Sequence, residues 1–313
     1  MDFSFIDKVY DPFLKRSVVR WVLELPGAGC EWYKKTGGCT MCGFNQSTYK
    51  YTFNGKLYPH FVFRLIFFWA RLLVNKAKPE TLVIYNGGSF LNDKEIPLKT
   101  QLAILRFVSR HPTINKIMVE SRAEFVTEIK LRQYKEALGE KKLEIAMGLE
   151  SADDKIRNEC LKKGMSKATF EKAIKLCQIF EIQTFAYVFL KPYCLTEKEA
   201  VDDAVKSIRY CFQVGVDEVS LSCAFVQTGT MLYELYQAKK FLPPKLWSII
   251  EVIQKTALLG PVRIGSFDDE PPPIARPQNC DTCNFEINEA IDYYRHTLDL
   301  EIFKDLTCDC KQM

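Results

Sequence analysis

Histidine is nearly absent from this chain, which has 3 among 313 residues: His60, His111 and His296. They are far apart in the sequence. No serine or pair of carboxylates accompanies them in the pattern of a nucleophilic or acid–base hydrolase. A histidine-based metal site and a Ser/His/Asp triad are therefore not indicated, and we expect each histidine to be structural.

Long apolar runs and a strong charge of one sign are also missing. The most apolar stretch, His60–Val74, has 15 residues and includes Arg64 and Arg71, whereas a membrane span needs about 20 apolar residues. The first residues show no apolar core followed by a cleavage site, so we expect a cytoplasmic protein without a membrane partner. The net charge of +4 permits contact with nucleic acid but does not argue for it.

Cysteine is abundant, with 12 residues. In a chain without a secretory signal, metal or cluster ligation is a better explanation than disulfides. Seven cysteines form two groups, Cys30, Cys39 and Cys42 near the start and Cys280, Cys283, Cys308 and Cys310 near the end. The remaining five are predicted to be buried thiols in helices and strands, except that Cys194 lies on the predicted active face; they are Cys160, Cys177, Cys194, Cys211 and Cys223.

Strand-like and helix-like segments alternate along the chain. The predicted strands, dense in β-branched and aromatic residues, are 18–25, 81–85, 116–119, 143–147, 182–190 and 218–224. The predicted helices are 58–77, 96–110, 124–138, 153–180 with a break at Gly164, 196–214 and 229–239. This alternation predicts an α/β fold with parallel strands and outer helices, a partial (β/α)6 TIM-like barrel, with a doubly wound sheet as the alternative.

Polar and glycine-rich segments follow five of the predicted strands. They read, in order, PGAGC, NGGSF, ESR, GLES and KPYC. Because β/α barrels build their sites at the carboxyl ends of the strands, these segments predict one functional face. After Phe241 the composition changes to proline-rich segments and late cysteines, so we divide the chain into a barrel, 1–240, and a C-terminal extension, 241–313.

The first cysteine group has the spacing Cys30-x8-Cys39-x2-Cys42 in a glycine-rich loop. Three thiolates can bind three irons of a 4Fe–4S cluster and leave the fourth iron open to a ligand. The alternative is a zinc knuckle, but three cysteines without a histidine form an incomplete tetrahedral set. Spacing therefore favours the cluster.

Together, the three-cysteine loop and the NGGSF, ESR and GLES segments resemble the radical S-adenosylmethionine (SAM) superfamily. The stretches GLESADDKIRNECLKKGMSKATFEKAIKLC and FLKPYCLTEKEAVDDAVKSI are similar to the branch that contains the Elongator catalytic subunit. Within that branch, GGCTMCGF with the late CDTC and CDC most resembles the archaeosine-biosynthesis proteins. Two features depart from the superfamily pattern: the first cysteine gap is eight rather than three residues, and Met41 stands where an aromatic residue is common.

The resemblance implies a radical SAM barrel, a 4Fe–4S cluster on the first three cysteines and a 5′-deoxyadenosyl radical formed from SAM. It implies an electron donor such as flavodoxin or ferredoxin, allows for a partner enzyme subunit, and indicates a nucleoside substrate, most simply a lysine-bearing deazaguanosine in tRNA. Contact with tRNA would need a partner or a basic surface near Lys34, Lys35 and Lys50. The resemblance does not identify a residue for the hydrogen-abstraction step. The residues it places at SAM are Asn86, Gly87, Gly88, Ser89, Glu120, Ser121, Arg122, Glu150, Ser151 and Lys191.

The late cysteines form two close pairs, Cys280-x2-Cys283 and Cys308-x-Cys310. By count, four thiolates suit structural zinc and a second 4Fe–4S cluster equally well. Two other functions stay open: a radical SAM enzyme acting on a small nucleoside-like metabolite, with sulfur insertion from a sacrificed cluster, and a zinc-stabilised adaptor without catalysis. The five polar strand ends count against the adaptor.

Overall fold

Eight strands form one curled sheet whose spatial order equals their order in the chain. The computed structural model describes residues 4–43, 56–74, 77–269 and 272–312. β1 is antiparallel to β2, and every later neighbour is parallel. The strands are β1 Ser4–Asp11, β2 Arg16–Glu24, β3 Thr81–Tyr85, β4 Lys116–Glu120, β5 Lys142–Glu150, β6 Gln183–Leu190, β7 Glu218–Cys223 and β8 Val262–Ile264.

The helices alternate with the parallel strands and cover the outside of the sheet. They are α1 Glu31–Thr36, α2 His60–Val74, α3 Leu98–Arg110, α4 Glu128–Leu138, α5 Lys167–Ile179, α6 Glu197–Gln213, α7 Met231–Gln237, α8 Leu246–Thr256 and α9 Asn284–Thr297, with a π-helical turn at Ile156–Cys160. The predicted partial barrel is confirmed. Two strands were not predicted. β1 lies at the edge of the sheet and includes the charged residues Asp7, Lys8 and Asp11, and β8 has only 3 residues.

The inside of the curved sheet is built in layers. A small apolar cluster fills its middle and is formed by Val22, Val83, Met118, Ala146 and Phe185. Below it, at the amino ends of the strands, Lys116 pairs with Asp11 at 3.3 Å and with Glu144 at 3.2 Å. Because the alternation of strand side chains continues upward, the next inward layer consists of Tyr85, Glu120 and Tyr187 at the carboxyl ends.

The C-terminal segment packs against the outer wall of the barrel. Its α8 lies along α6, β8 extends the sheet beside β7, and α9 contacts β1. Ser248 Oγ donates a hydrogen bond of 2.6 Å to Glu197 Oε1, which fixes the start of α8 to the start of α6. No described helix is long and apolar enough to cross a bilayer.

One cysteine prediction is wrong. Cys160 and Cys194 form a disulfide, with their Cα atoms 6.2 Å apart, because the end of the π-helical turn meets the loop after β6. This proximity depends on the packing of two segments that are 34 residues apart in sequence. Cys177, Cys211 and Cys223 are buried as predicted.

Candidate functional site

The first three cysteines lie on a loop at the carboxyl end of β2. Cys30 immediately precedes α1, and Gly37 and Gly38 follow the helix with φ angles of 86° and 83°. A Cβ atom on Gly38 would lie 2.5 Å from the ring of Tyr33, so only glycine lets the chain turn back here. The turn returns Cys39 towards Cys30, and the Cys42 amide donates to the Cys39 carbonyl at 3.1 Å.

The thiols of Cys30, Cys39 and Cys42 are each partly buried. Burial raises the pKa of the Cys30 thiol. Burial also raises the pKa of Cys39, and the Lys163 ammonium opposes that rise.

Segment 161–164 packs against the cysteine loop and accepts hydrogen bonds from it. The Leu161 carbonyl accepts a hydrogen bond of 3.1 Å from the Thr40 amide. The Lys162 carbonyl accepts one of 2.9 Å from Trp32 Nε1. The cysteine loop is therefore anchored at two points to the chain that follows the π-helical turn.

Lys163, on the same segment, forms an ion pair with Glu150. Lys163 Nζ donates to Glu150 Oε1 at 2.7 Å, and both side chains are buried. Glu150 has a φ of 67° at the end of β5, where the register with β6 shifts. Sequence reasoning assigned Glu150 to the site but missed Lys163, because a lysine in KKGMS looks like a solvent-exposed turn residue.

Asn86 is the first residue of the loop after β3, and its side-chain amide is buried. The residue is 3% exposed, and neither its Oδ1 nor its Nδ2 has a hydrogen-bond partner among the described residues. A buried amide without partners costs about 1–3 kcal/mol unless something else satisfies it. Gly27 packs against it, with an added Cβ falling 3.2 Å from the Asn86 carbonyl oxygen. A polar ligand that reached this amide would therefore supply the hydrogen bonds that it lacks.

The loop after β3 is locked to the cysteine loop through Glu95, which sequence reasoning missed. This carboxylate is 1% exposed and accepts hydrogen bonds from the Ser89 amide at 2.5 Å and the Glu31 amide at 3.0 Å. An added Cβ on Gly88 would collide with the Glu95 carboxylate and lie 3.4 Å from the Cys30 Cα. Gly87 has a φ of 58°. Glycines at 87 and 88 thus allow a close approach of two loops.

The side chains of several residues predicted to bind SAM form hydrogen bonds within the protein. Ser89 Oγ accepts from the Arg122 amide at 3.2 Å, and Ser121 Oγ donates to the Arg122 carbonyl at 3.1 Å. The Arg122 guanidinium donates from Nε to Glu124 Oε1 at 2.5 Å and lies 4.9 Å from the centre of the Trp32 ring. These contacts bind the loops after β3 and β4 to the cysteine loop.

Glu120 points into the mouth of the barrel. Its Oε1 accepts a hydrogen bond of 2.5 Å from the Tyr187 hydroxyl. Burial raises the pKa of Glu120 to about 7, while the hydrogen bond from Tyr187 and the charge of Lys163 act in the opposite direction. Tyr85 occupies the adjacent inward position on β3. This trio forms a polar floor above the apolar middle layer.

The last two predicted residues lie beside α6. Ser151 is fully buried, and its Oγ donates to Asp203 Oδ1 at 2.8 Å. Burial raises the pKa of Asp203 to about 6. Lys191 Nζ donates to the Leu195 carbonyl at 2.6 Å, and burial lowers the pKa of Lys191.

Of the basic residues expected near the substrate, Lys35 forms an ion pair with Glu31 at 2.8 Å. Lys50 lies outside the described residues. Met41, in the cysteine loop, packs against the apolar cluster of Leu161 and Phe189.

The four late cysteines converge at the start of α9. Their sulfur atoms all lie within 4.8 Å of one another. Cys283 immediately precedes the helix and is buried, whereas the other three are partly exposed. Trp247 Nε1, on α8, donates to Cys310 Sγ at 3.3 Å. The predicted second group is therefore assembled as one site.

Curated proteins show extensive similarity to this chain, although no protein-family profile matches it. Archaeosine synthase subunit beta of Methanosarcina acetivorans is 31% identical over 299 residues, which is 91% of this chain and 81% of the relative. The protein of the same name from Thermococcus kodakarensis is 28% identical over 296 residues, 92% of this chain and 88% of the relative.

Solved structures show the same fold. The archaeal Elp3 of Methanocaldococcus infernus, with residues 1–46 deleted, aligns with a TM-score of 0.55 at 18% identity. The alignment covers 74% of this chain and 57% of Elp3. At this identity the likeness concerns the barrel alone.

Proposed function

The chain belongs to the radical SAM family that includes the archaeosine synthase beta subunits, and from this premise we propose that it modifies a nucleoside of tRNA. The substrate we propose is the lysine-bearing deazaguanosine from which archaeosine is formed. The observation that carries the proposal is the meeting of two features at the mouth of the barrel. Three free cysteines lie on one loop, and the next loop carries the Asn86 amide, which has no hydrogen-bond partner in the described part of the chain.

Cys30, Cys39 and Cys42 would hold a 4Fe–4S cluster. The fit is supported by the left-handed glycines, which let the loop turn tightly, and by three free, partly buried thiols on that loop. Lys163 places a positive charge beside Cys39, which offsets the negative charge of thiolate ligands. Bound together, the cluster and SAM would supply a 5′-deoxyadenosyl radical, with an electron from a flavodoxin or ferredoxin.

Asn86 and the backbone of Gly87 and Gly88 would contact SAM directly, since an amide and bare carbonyls suit its ammonium and carboxylate groups. Glu120 would accept from ribose hydroxyls. The other predicted side chains are already bonded to the protein, so we assign them to holding the loops in place. They are Ser89, Ser121, Arg122, Glu150, Ser151 and Lys191.

We propose that the chain works with a second subunit in the cytoplasm, since the relatives are named as subunits. The surface that supports this proposal is one face of α2. Trp69 is 65% exposed and Phe61 is 63% exposed, whereas Phe63 and Ala70 on the opposite face are buried. The complete exposed face consists of Phe61, Leu65, Phe68, Trp69 and Leu72. Apolar patches of this kind mark interaction sites, and we assign this one to the second subunit.

The decisive experiment is the replacement of Cys30, Cys39 and Cys42 by Ala. Anaerobic reconstitution should give a wild-type chain that cleaves SAM reductively, and the triple variant should lose about four irons and all cleavage. Assays with precursor tRNA and with the free nucleoside then distinguish the proposed substrate from a small metabolite. Unchanged iron in the triple variant would refute the cluster, and turnover of the free nucleoside alone would refute tRNA.

A further inference from the structure

The geometry of Cys280, Cys283, Cys308 and Cys310 distinguishes two metal sites that the sequence leaves equal. We infer that these four thiols bind a single zinc ion in a closed tetrahedral site. The inference concerns a part of the chain remote in sequence from the proposed SAM site and does not rest on the proposed function.

The distances between sulfur atoms carry the inference. Cys280 Sγ lies 3.7 Å from Cys283 Sγ and 3.6 Å from Cys308 Sγ. Cys283 Sγ lies 3.5 Å from Cys310 Sγ. Four sulfurs placed about 2.3 Å from one zinc ion form a tetrahedron with edges of about 3.8 Å. The thiols are therefore arranged around a volume that holds one ion.

An iron–sulfur cluster needs a larger ring of ligands. Each cysteine of a 4Fe–4S cubane binds a different iron, which places the sulfurs about 6 Å apart. A 2Fe–2S cluster keeps two pairs close but separates the pairs by a similar distance. All four sulfurs here lie within 4.8 Å of one another, so neither cluster fits without moving the two cysteine segments apart. Among single ions, a closed set of four thiolates is typical of structural zinc.

The protein supplies hydrogen bonds and charge around the four sulfurs. Trp247 Nε1 donates to Cys310 Sγ at 3.3 Å. Lys311 Nζ lies 4.8 Å from the centre of the Trp247 ring, so a cation is close to the site. Four thiolates and Zn²⁺ carry a net charge of about −2, which such donors and cations stabilise. Cys283 also precedes α9, whose amino end favours negative charge.

The ion would connect three parts of the C-terminal segment. Cys280 and Cys283 lie at the start of α9, Cys308 and Cys310 lie in the last turns of the chain, and Trp247 belongs to α8 on the barrel wall. Because metal binding is coupled to the ordering of its ligands, zinc holds these turns against the barrel. A structural zinc site of this kind does not change oxidation state and does not donate sulfur to a substrate.

The test is metal analysis of two proteins. In the variant with Cys30, Cys39 and Cys42 replaced by Ala, reconstituted with iron and sulfide in excess and zinc present, we expect about one zinc and no iron per chain. Zinc-edge X-ray absorption of the unmutated protein should show four sulfur ligands at about 2.3 Å. This second measurement does not depend on the folding of any variant.

Matched cysteine variants complete the experiment. Cys308→Ser should release the zinc and increase proteolysis of 272–312, whereas Cys177→Ala, a buried thiol of α5, should retain one zinc. About four irons in the triple variant would overturn the inference in favour of an auxiliary cluster. One iron per chain would overturn the choice of zinc, and no metal in either protein would overturn the site.

Discussion

Lys163 and Glu150 form an ion pair directly behind the cysteine loop, with Nζ and Oε1 2.7 Å apart and the side chains 11% and 8% exposed. Although burial disfavours the ammonium, the nearby Glu150 carboxylate raises the pKa of Lys163. The pair also fills the position that a Cβ on Gly148 would occupy. It therefore fixes segment 161–164, which in turn anchors the loop that carries Cys39.

The first prediction concerns the removal of one charge from this pair. Lys163→Met should lower the free energy of unfolding by about 3–5 kcal/mol, because it leaves the Glu150 carboxylate buried without a partner. Urea unfolding of the metal-free chain at pH 7 measures the loss. The adjacent Lys162→Met is the control, since Lys162 is exposed and a surface change costs within about 0.5 kcal/mol. Adding Glu150→Gln to Lys163→Met should recover much of the loss, and equal stability of the two lysine variants would contradict the prediction.

The second prediction separates stability from cofactor binding at Asn86. Asn86→Leu should stabilise the unliganded chain by about 1 kcal/mol, because it removes two buried polar atoms that lack partners in the described structure. The same change should weaken SAM binding at least tenfold, measured by calorimetry on the reconstituted protein.

Asn92→Leu is the matched control for Asn86→Leu. Asn92 is equally buried, but its Nδ2 donates to Glu31 at 2.9 Å and to Glu95 at 3.0 Å. This variant should lose stability instead of gaining it. A loss of stability in Asn86→Leu comparable to that in Asn92→Leu would show that the Asn86 amide has a structural partner.

The alternation of strands and helices was enough to predict the barrel, because it follows from local pattern and the geometry of parallel sheets. The functional face at the carboxyl ends of the strands stays a prediction. What the sequence could not show depends on contacts between distant segments. Glu95 in NDKEIP has the pattern of a surface turn, yet its carboxylate binds amides on two loops. The Cys160–Cys194 pairing is of the same kind. Likewise, ligand count could not choose a metal at the late cysteines, whereas distances between their sulfurs do.

The third prediction concerns the exposed face of α2. Phe61→Ser together with Trp69→Ser should abolish co-purification with the second subunit when both are expressed together, because the apolar contact is lost. Size-exclusion chromatography with light scattering measures the complex. The fold should remain intact, since both side chains are exposed. Arg64→Ser, an exposed change on the same helix, should retain the complex; a complex that survives the double change would place the interface elsewhere.

The fourth prediction is a dependence of stability on pH that arises from Glu120. Its pKa of about 7 in the folded chain lies above the ordinary value of 4.5, with burial as the main cause. The folded state therefore holds a proton that the unfolded state has released between these two values. Stability from this group is full below about pH 4.5 and decreases as the pH rises towards 7. Glu218, with a folded pKa of about 7, and Asp203, at about 6, act in the same direction.

The contribution of Glu120 can be isolated by comparison of variants. Between pH 5 and 7, Glu120→Gln should lose less stability than the unmutated chain, by on the order of 2 kcal/mol at about 1.4 kcal/mol per pKa unit. Tyr187→Phe keeps the carboxyl group but removes a hydrogen bond that lowers its pKa, so the decrease in stability should begin at the same pH and extend to higher pH. Urea unfolding at half-unit steps of pH gives both profiles. Parallel profiles for Glu120→Gln and the unmutated chain would mean that Glu120 is already ionised in the folded state at pH 5, and that the mouth of the barrel is more hydrated than its packing indicates.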